Sequence, residues 1–142
     1  MELDVRTLMI AFTVNVFAGA LALPVIMGWR TGAAARHAVL ATLLQAGGWF
    51  CLVLSTLWRN QWPDAVLSTL AIAGMSASLV MLWRAIGLWT SRPQRAVPMW
   101  LLTGLMTIGY GAGFAHYPWR VRLANGVLGL QMLGAQGWVQ QV

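Results

Sequence analysis

Five long apolar stretches separated by short polar breaks make up most of the chain, at about 8–29, 38–58, 65–83, 97–117 and 123–139. Within each stretch, apolar residues occupy every side of a helix rather than one stripe. That is the pattern of a helix buried all round or set in lipid. A helix needs roughly 20 apolar residues to cross the hydrocarbon core, and each stretch comes close to that length. Barrel strands would instead alternate apolar and polar over about ten residues. The breaks carry turn residues: Arg30-Thr31-Gly32, Arg59-Asn60-Gln61-Trp62-Pro63-Asp64, Ser91-Arg92-Pro93-Gln94-Arg95 and Tyr117-Pro118-Trp119-Arg120. Pro63 and Pro98 fall where a helix begins, a place that needs no N–H. Asp64 brings negative charge to a helix N-terminus. Pro24 lies inside the first stretch. The pattern predicts an all-α fold: one domain over residues 1–142, a polytopic transmembrane bundle of about five helices.

Composition strengthens this expectation. The 142 residues are 59% hydrophobic and 8% charged, against about 25% charged in ordinary soluble domains. Nine Arg, no Lys and three acids (Glu2, Asp4, Asp64) are too few to cover a water-facing surface. The net charge of +6 does not point to nucleic acid, because the Arg residues are scattered and sit near the ends of apolar runs; a nucleic-acid face would gather them. Trp29, Trp58, Trp62, Trp83, Trp89, Trp100, Trp119 and Trp138 lie at or near the expected helix ends, as amphipathic rings do at the headgroup level. Trp49 is the exception, near the middle of the second stretch. With the N-terminus outside, the inner loops hold Arg30, Arg36, Arg84, Arg92 and Arg95, and the outer segments hold Arg6, Arg59, Arg120 and Arg122. The bias favours an outside N-terminus and an inside C-terminus.

Little in the chain is equipped for catalysis. Metal binding needs clustered His, Cys or carboxylates. His37 and His116 fall on opposite faces of a five-helix topology, Asp64 has no second carboxylate near it, and Cys51 is single. No catalytic, metal-binding or cofactor-binding residue is expected, and no cofactor. The helix centres lack the ionisable groups of coupled transporters. Their neutral polar residues are Asn15, Gln45, Ser76, Ser78, Thr107 and Gln131. These serve either interhelical hydrogen bonds or a ligand pocket between helices. Gln45 and Trp49 are four apart and share a helix face. Together with Asn15 and Gln131, at similar depth, they form the candidate intramembrane polar and aromatic cluster. Gly47 and Gly48 beside them would admit a close neighbour. Small residues also recur at spacing four, as Gly109/Gly113 and Gly74/Ser78, a pattern that lets helices pack closely within the chain or against a second copy.

The order of features resembles a known membrane region. Leu3-Asp4-Val5-Arg6-Thr7-Leu8 opens a first helix closed by Trp29-Arg30. Gly48-Trp49 in the second leads to an Arg59…Pro63-Asp64 turn. Arg84 and Trp89 precede a basic Arg92…Arg95 loop, and a Pro118…Arg120 turn precedes a fifth helix rich in small residues. Over most of its length the chain resembles the N-terminal multi-helix region of bacterial GGDEF-domain diguanylate cyclases. It departs from that pattern at Leu67-Ser68-Thr69-Leu70, where many members carry an Asn, and it holds no GGDEF motif. The resemblance implies a sensory or anchoring region in the bacterial inner membrane, truncated before further helices and a cyclic di-GMP-producing domain. Its expected partners are the lipid bilayer and, as an open alternative, a second copy of itself, not nucleic acid. A small transporter component and a structural subunit of a membrane complex are the other function classes in view.

Overall fold

The computed structural model describes residues 5–27, 32–59, 61–91 and 96–139. They form five α-helices and one 3-10 turn, with no strand among the described residues. The helices are α1 (Val5–Met27), α2 (Ala33–Ser55), α3 (Trp62–Trp89), α4 (Val97–Ala112) and α5 (Tyr117–Val139). The 3-10 turn, Thr56–Trp58, extends α2. The Trp29-Arg30 and Arg92…Arg95 features of the resemblance lie outside the described residues.

Local chemistry explains most helix ends. Pro63 and Pro98 stand in the first turns of α3 and α4, where a missing N–H costs nothing. Asp64 sits in the first turn of α3, at the positive end of the helix dipole. α1 runs through Pro24 without a break in its helical assignment. α3 runs beyond 83 to Trp89, the farther of the two ends the sequence allowed. Its last N–H, from Thr90, bonds to Ile86 O at 2.9 Å. Ser91 then takes a left-handed conformation, φ 54°. An L-residue there is disfavoured by contact between its Cβ and the backbone. Ser91→Gly is therefore expected to stabilise the fold by roughly 0.5–1 kcal/mol, read as a rise in thermal midpoint in detergent. A fall would show that the Ser91 hydroxyl makes a contact worth more than the strain.

The α4–α5 connection corrects the sequence reading. α4 ends at Ala112, short of the expected 117, and α5 starts at Tyr117, ahead of the expected 123. Gly109, Gly111 and Gly113 weaken the end of α4. The chain closes there through tight turns, with Phe114 N bonded to Gly111 O at 3.3 Å and His116 N to Gly113 O at 2.9 Å. Pro118 then suits a first helical turn. As a result Arg120 and Arg122 belong to α5 rather than to a loop.

The helices pack in a chain with α3 at its centre. Among the described residues, α1 touches α2 alone, α2 packs most extensively on α3, and α4 and α5 pack on α3 and on each other. The α2–α3 contact is backbone to backbone. A Cβ built on Gly48 would stand 2.9 Å from Ala71 O and 3.3 Å from Met75 N; one on Gly74 would stand 3.2 Å from Leu44 O. Gly47, next along α2, has nothing within 4 Å of the same position. An apolar core of Ile72, Met106, Tyr110, Ala124 and Val127 joins α3, α4 and α5. Many large apolar side chains remain outside, among them Val25, Ile26, Leu57, Leu101 and Ile108. α2 with its 3-10 extension (Ala33–Trp58) and α3 are each long and apolar enough to cross a membrane. In both, only 28% of the most apolar window is buried within the protein.

Candidate functional site

Midway along α3, α4 and α5, three buried polar side chains meet. Ser76, Thr103 and Gln131 are 0%, 7% and 2% exposed. Ser76 Oγ donates to Gln131 Oε1 at 2.9 Å, and Gln131 Nε2 donates to Thr103 Oγ1 at 3.1 Å. The two hydroxyls stand 2.8 Å apart. Proton counting orients the ring. Ser76 spends its proton on the amide oxygen, so across the 2.8 Å contact Thr103 is the donor. Its proton has one other acceptor, Met99 O on its own helix at 3.0 Å. The second amide proton of Gln131 points toward the same Met99 carbonyl, at 3.5 Å. Every buried polar atom in the group therefore has a partner, as buried polar groups require. Such a closed ring ties three helices together and leaves no side-chain donor free for a ligand.

A second polar contact links α2 to α3. Ser78 Oγ lies 2.5 Å from Gln45 Oε1 and 2.6 Å from Met75 O. One hydroxyl proton cannot serve both acceptors. Turning the Gln45 amide over lets Nε2 donate to Ser78 while Ser78 donates to Met75 O.

The four residues expected to form one intramembrane cluster are therefore divided. Gln131 belongs to the α3–α4–α5 ring, and Gln45 pairs with Ser78. Trp49 turns to α1, its ring edge-to-face with Phe12 at 4.9 Å. Its Nε1 is buried without an acceptor. Asn15 is exposed on α1 and donates to Ala11 O of its own helix at 2.9 Å. Short polar side chains satisfy themselves on a nearby carbonyl in this way, and that is why Asn15 joins no partner helix. Gly48 admits the α3 backbone, not a ligand.

An unforeseen feature lies at the α4–α5 end of the bundle. Arg120 is 7% exposed. Its Cζ sits 4.2 Å from the Phe114 ring centroid, 5.2 Å from Tyr110 and 5.6 Å from Tyr117. Nε and Nη1 are buried and have no acceptor. The sequence shows Tyr110, Phe114 and Tyr117 just ahead of Arg120, but they converge through the turn between α4 and α5 and not along one helix face. Reading Arg120 as a loop residue concealed the cage.

The remaining candidates offer less. A cavity of about 170 Å³ between α3, α4 and α5 is lined by Leu79, Trp83, Ile86, Met99, Gln131 and Met132. Its wall is apolar, and the Gln131 amide is already engaged. His37 hydrogen-bonds through Nδ1 to Ala33 O at 2.7 Å, and His116 is exposed before α5. Among the described residues no three His, Cys, Asp or Glu side chains gather to hold a metal. Cys51 is a half-buried free thiol. No protein-family model matches the chain, and no curated protein or solved structure is detectably similar to it.

Proposed function

We propose that the chain is a multi-pass helical bundle of a bacterial inner membrane, with its N-terminus outside, serving as the anchoring and sensory region of a signalling protein and catalysing nothing itself. The observation that carries the membrane reading is the exposure of its apolar helices. A core helix of a soluble protein is mostly covered by the rest of its chain, whereas α2 and α3 leave most of their apolar windows uncovered. In water such a surface would drive aggregation; in lipid it costs nothing. The neutral side chains Gln45, Ser76, Ser78, Thr103 and Gln131 turn inward to one another and Asn15 turns back onto its own helix, as a bilayer demands. The resemblance to the membrane region of diguanylate cyclases supports the sensory part. The closed Ser76–Thr103–Gln131 ring favours one other reading, a purely structural subunit of a membrane complex.

Three measurements test the parts of this reading. The chain expressed in bacteria should stay in the membrane pellet through an alkaline carbonate wash and leave it only with detergent. Green fluorescent protein fused after Val142 should fluoresce, and alkaline phosphatase at the same site should be inactive. Release by carbonate would sink the membrane reading, and the opposite reporter pattern would invert the topology. For the sensory part, the chain is placed ahead of a GGDEF catalytic domain and cyclic di-GMP is measured. Output equal to that of the same domain on a single unrelated helix would leave an anchor and remove the sensor.

A further inference from the structure

A guanidinium keeps its charge at any physiological pH, so burying one is costly unless it is paired and hydrogen-bonded. Arg120 is buried, and its three aromatic neighbours offset part of that cost through their ring faces. Rings supply no in-plane acceptor for N–H groups. Nε and Nη1 accordingly have none, and Nη2 is not enclosed in the same way. Asp64, the described carboxylate at the start of α3, bonds to neither Nε nor Nη1. The first turn of α5 holds no acidic residue and adds the positive end of a helix dipole. The group is thus a planar cation with an incomplete shell of acceptors, whose Nε and Nη1 are enclosed and whose Nη2 edge is left for an oxyanion to approach.

We propose that Arg120, held by Tyr110, Phe114 and Tyr117 at the N-terminus of α5, binds a phosphate group, supplied in the cell by the headgroup of an anionic lipid. Guanidinium edges pair with phosphate oxygens through charge-assisted hydrogen bonds. Tyr117 and Trp119 are exposed beside the site, and such rings sit at the headgroup level of membranes. The lipid source rests on the membrane reading above; the phosphate chemistry does not.

The test uses the delipidated full chain in maltoside detergent, with its thermal midpoint followed by Trp fluorescence. Three probes are titrated: phosphatidylglycerol, diacylglycerol with the same acyl chains, and inorganic phosphate. Phosphatidylglycerol should raise the midpoint by several degrees and diacylglycerol should not. Arg120→Met should abolish the rise, and Arg120→Lys, which keeps charge but loses the planar fork, should weaken apparent affinity at least threefold. Arg122→Gln, an exposed position outside the cage, should stay within twofold of the natural chain. A rise with inorganic phosphate alone, lost in Arg120→Met, supports the phosphate site and assigns it a soluble source. No rise with either phosphate form in the natural chain overturns the proposal, as does an undiminished rise in Arg120→Met. If Arg120→Met does not fold, Arg120→Lys decides: affinity equal to the natural chain overturns it. A protein washed from membranes by carbonate that still binds inorganic phosphate through Arg120 would lose the lipid and keep the site.

Discussion

Gly48→Ala is expected to destabilise the bundle by about 1–3 kcal/mol, the usual range for overpacking a tight interior, and Gly48→Leu by more. The new Cβ would meet Ala71 O at 2.9 Å and Met75 N at 3.3 Å. Both are backbone atoms of α3, so no rotamer change relieves the contact and the helices must separate. The control is one residue away. Gly47 faces open space, so Gly47→Ala should gain roughly 0.5–1 kcal/mol from helix propensity alone. Equilibrium unfolding in mixed detergent micelles reads both. If the two alanines behaved alike, the α2–α3 crossing would not be as close as described.

The second large effect concerns Gln131. Gln131→Leu removes the amide from the Ser76–Thr103–Gln131 ring and is expected to cost about 1–2 kcal/mol, within the range for a buried hydrogen bond left half-made. The cost stays moderate because the Thr103 hydroxyl keeps Met99 O as an acceptor at 3.0 Å. Interhelical bonds in bilayers also average only about 0.6 kcal/mol. Non-additivity is the sharper signature. The triple change Ser76→Ala, Thr103→Val, Gln131→Leu removes all three polar groups, so it should be less destabilising than the sum of its single changes. A triple variant equal to that sum would mean that the three side chains act independently.

How much of this was legible from the chain depends on the range of the interaction involved. The helices were readable because their apolar residues cover every face, a signal that needs no knowledge of partners. The α4–α5 boundary was not, because hydropathy does not register the weakening by Gly109, Gly111 and Gly113 or the start that Pro118 favours. The polarity of Gln45, Ser76, Ser78 and Gln131 was visible, but their pairing was not. Which side chains meet depends on the rotation and depth of each helix against its neighbours, and a single sequence carries no record of either. Asn15 shows the opposite failure: its partner, Ala11 O, lies one turn away, and local back-bonding was the simpler expectation. Gly48 was read as a place of close approach, and the approaching atoms are the α3 backbone.

The brevity of α4 has a consequence for any bilayer around it. At 16 residues it rises about 24 Å, against a hydrocarbon thickness of about 30 Å. Its neighbour α3, at 28 residues, rises about 42 Å. Hydrophobic mismatch of this kind is relieved by local thinning of the bilayer on the side of the short helix. The turn after α4 would then draw the lipid surface inward over a small arc of the protein's perimeter. Arg120 stands one turn beyond that point, so the dimple would lower headgroups toward a cation that in a flat bilayer would lie beneath them. In such a bilayer, thickness, which varies with acyl-chain length and temperature, would become a mechanical coordinate for this end of the protein.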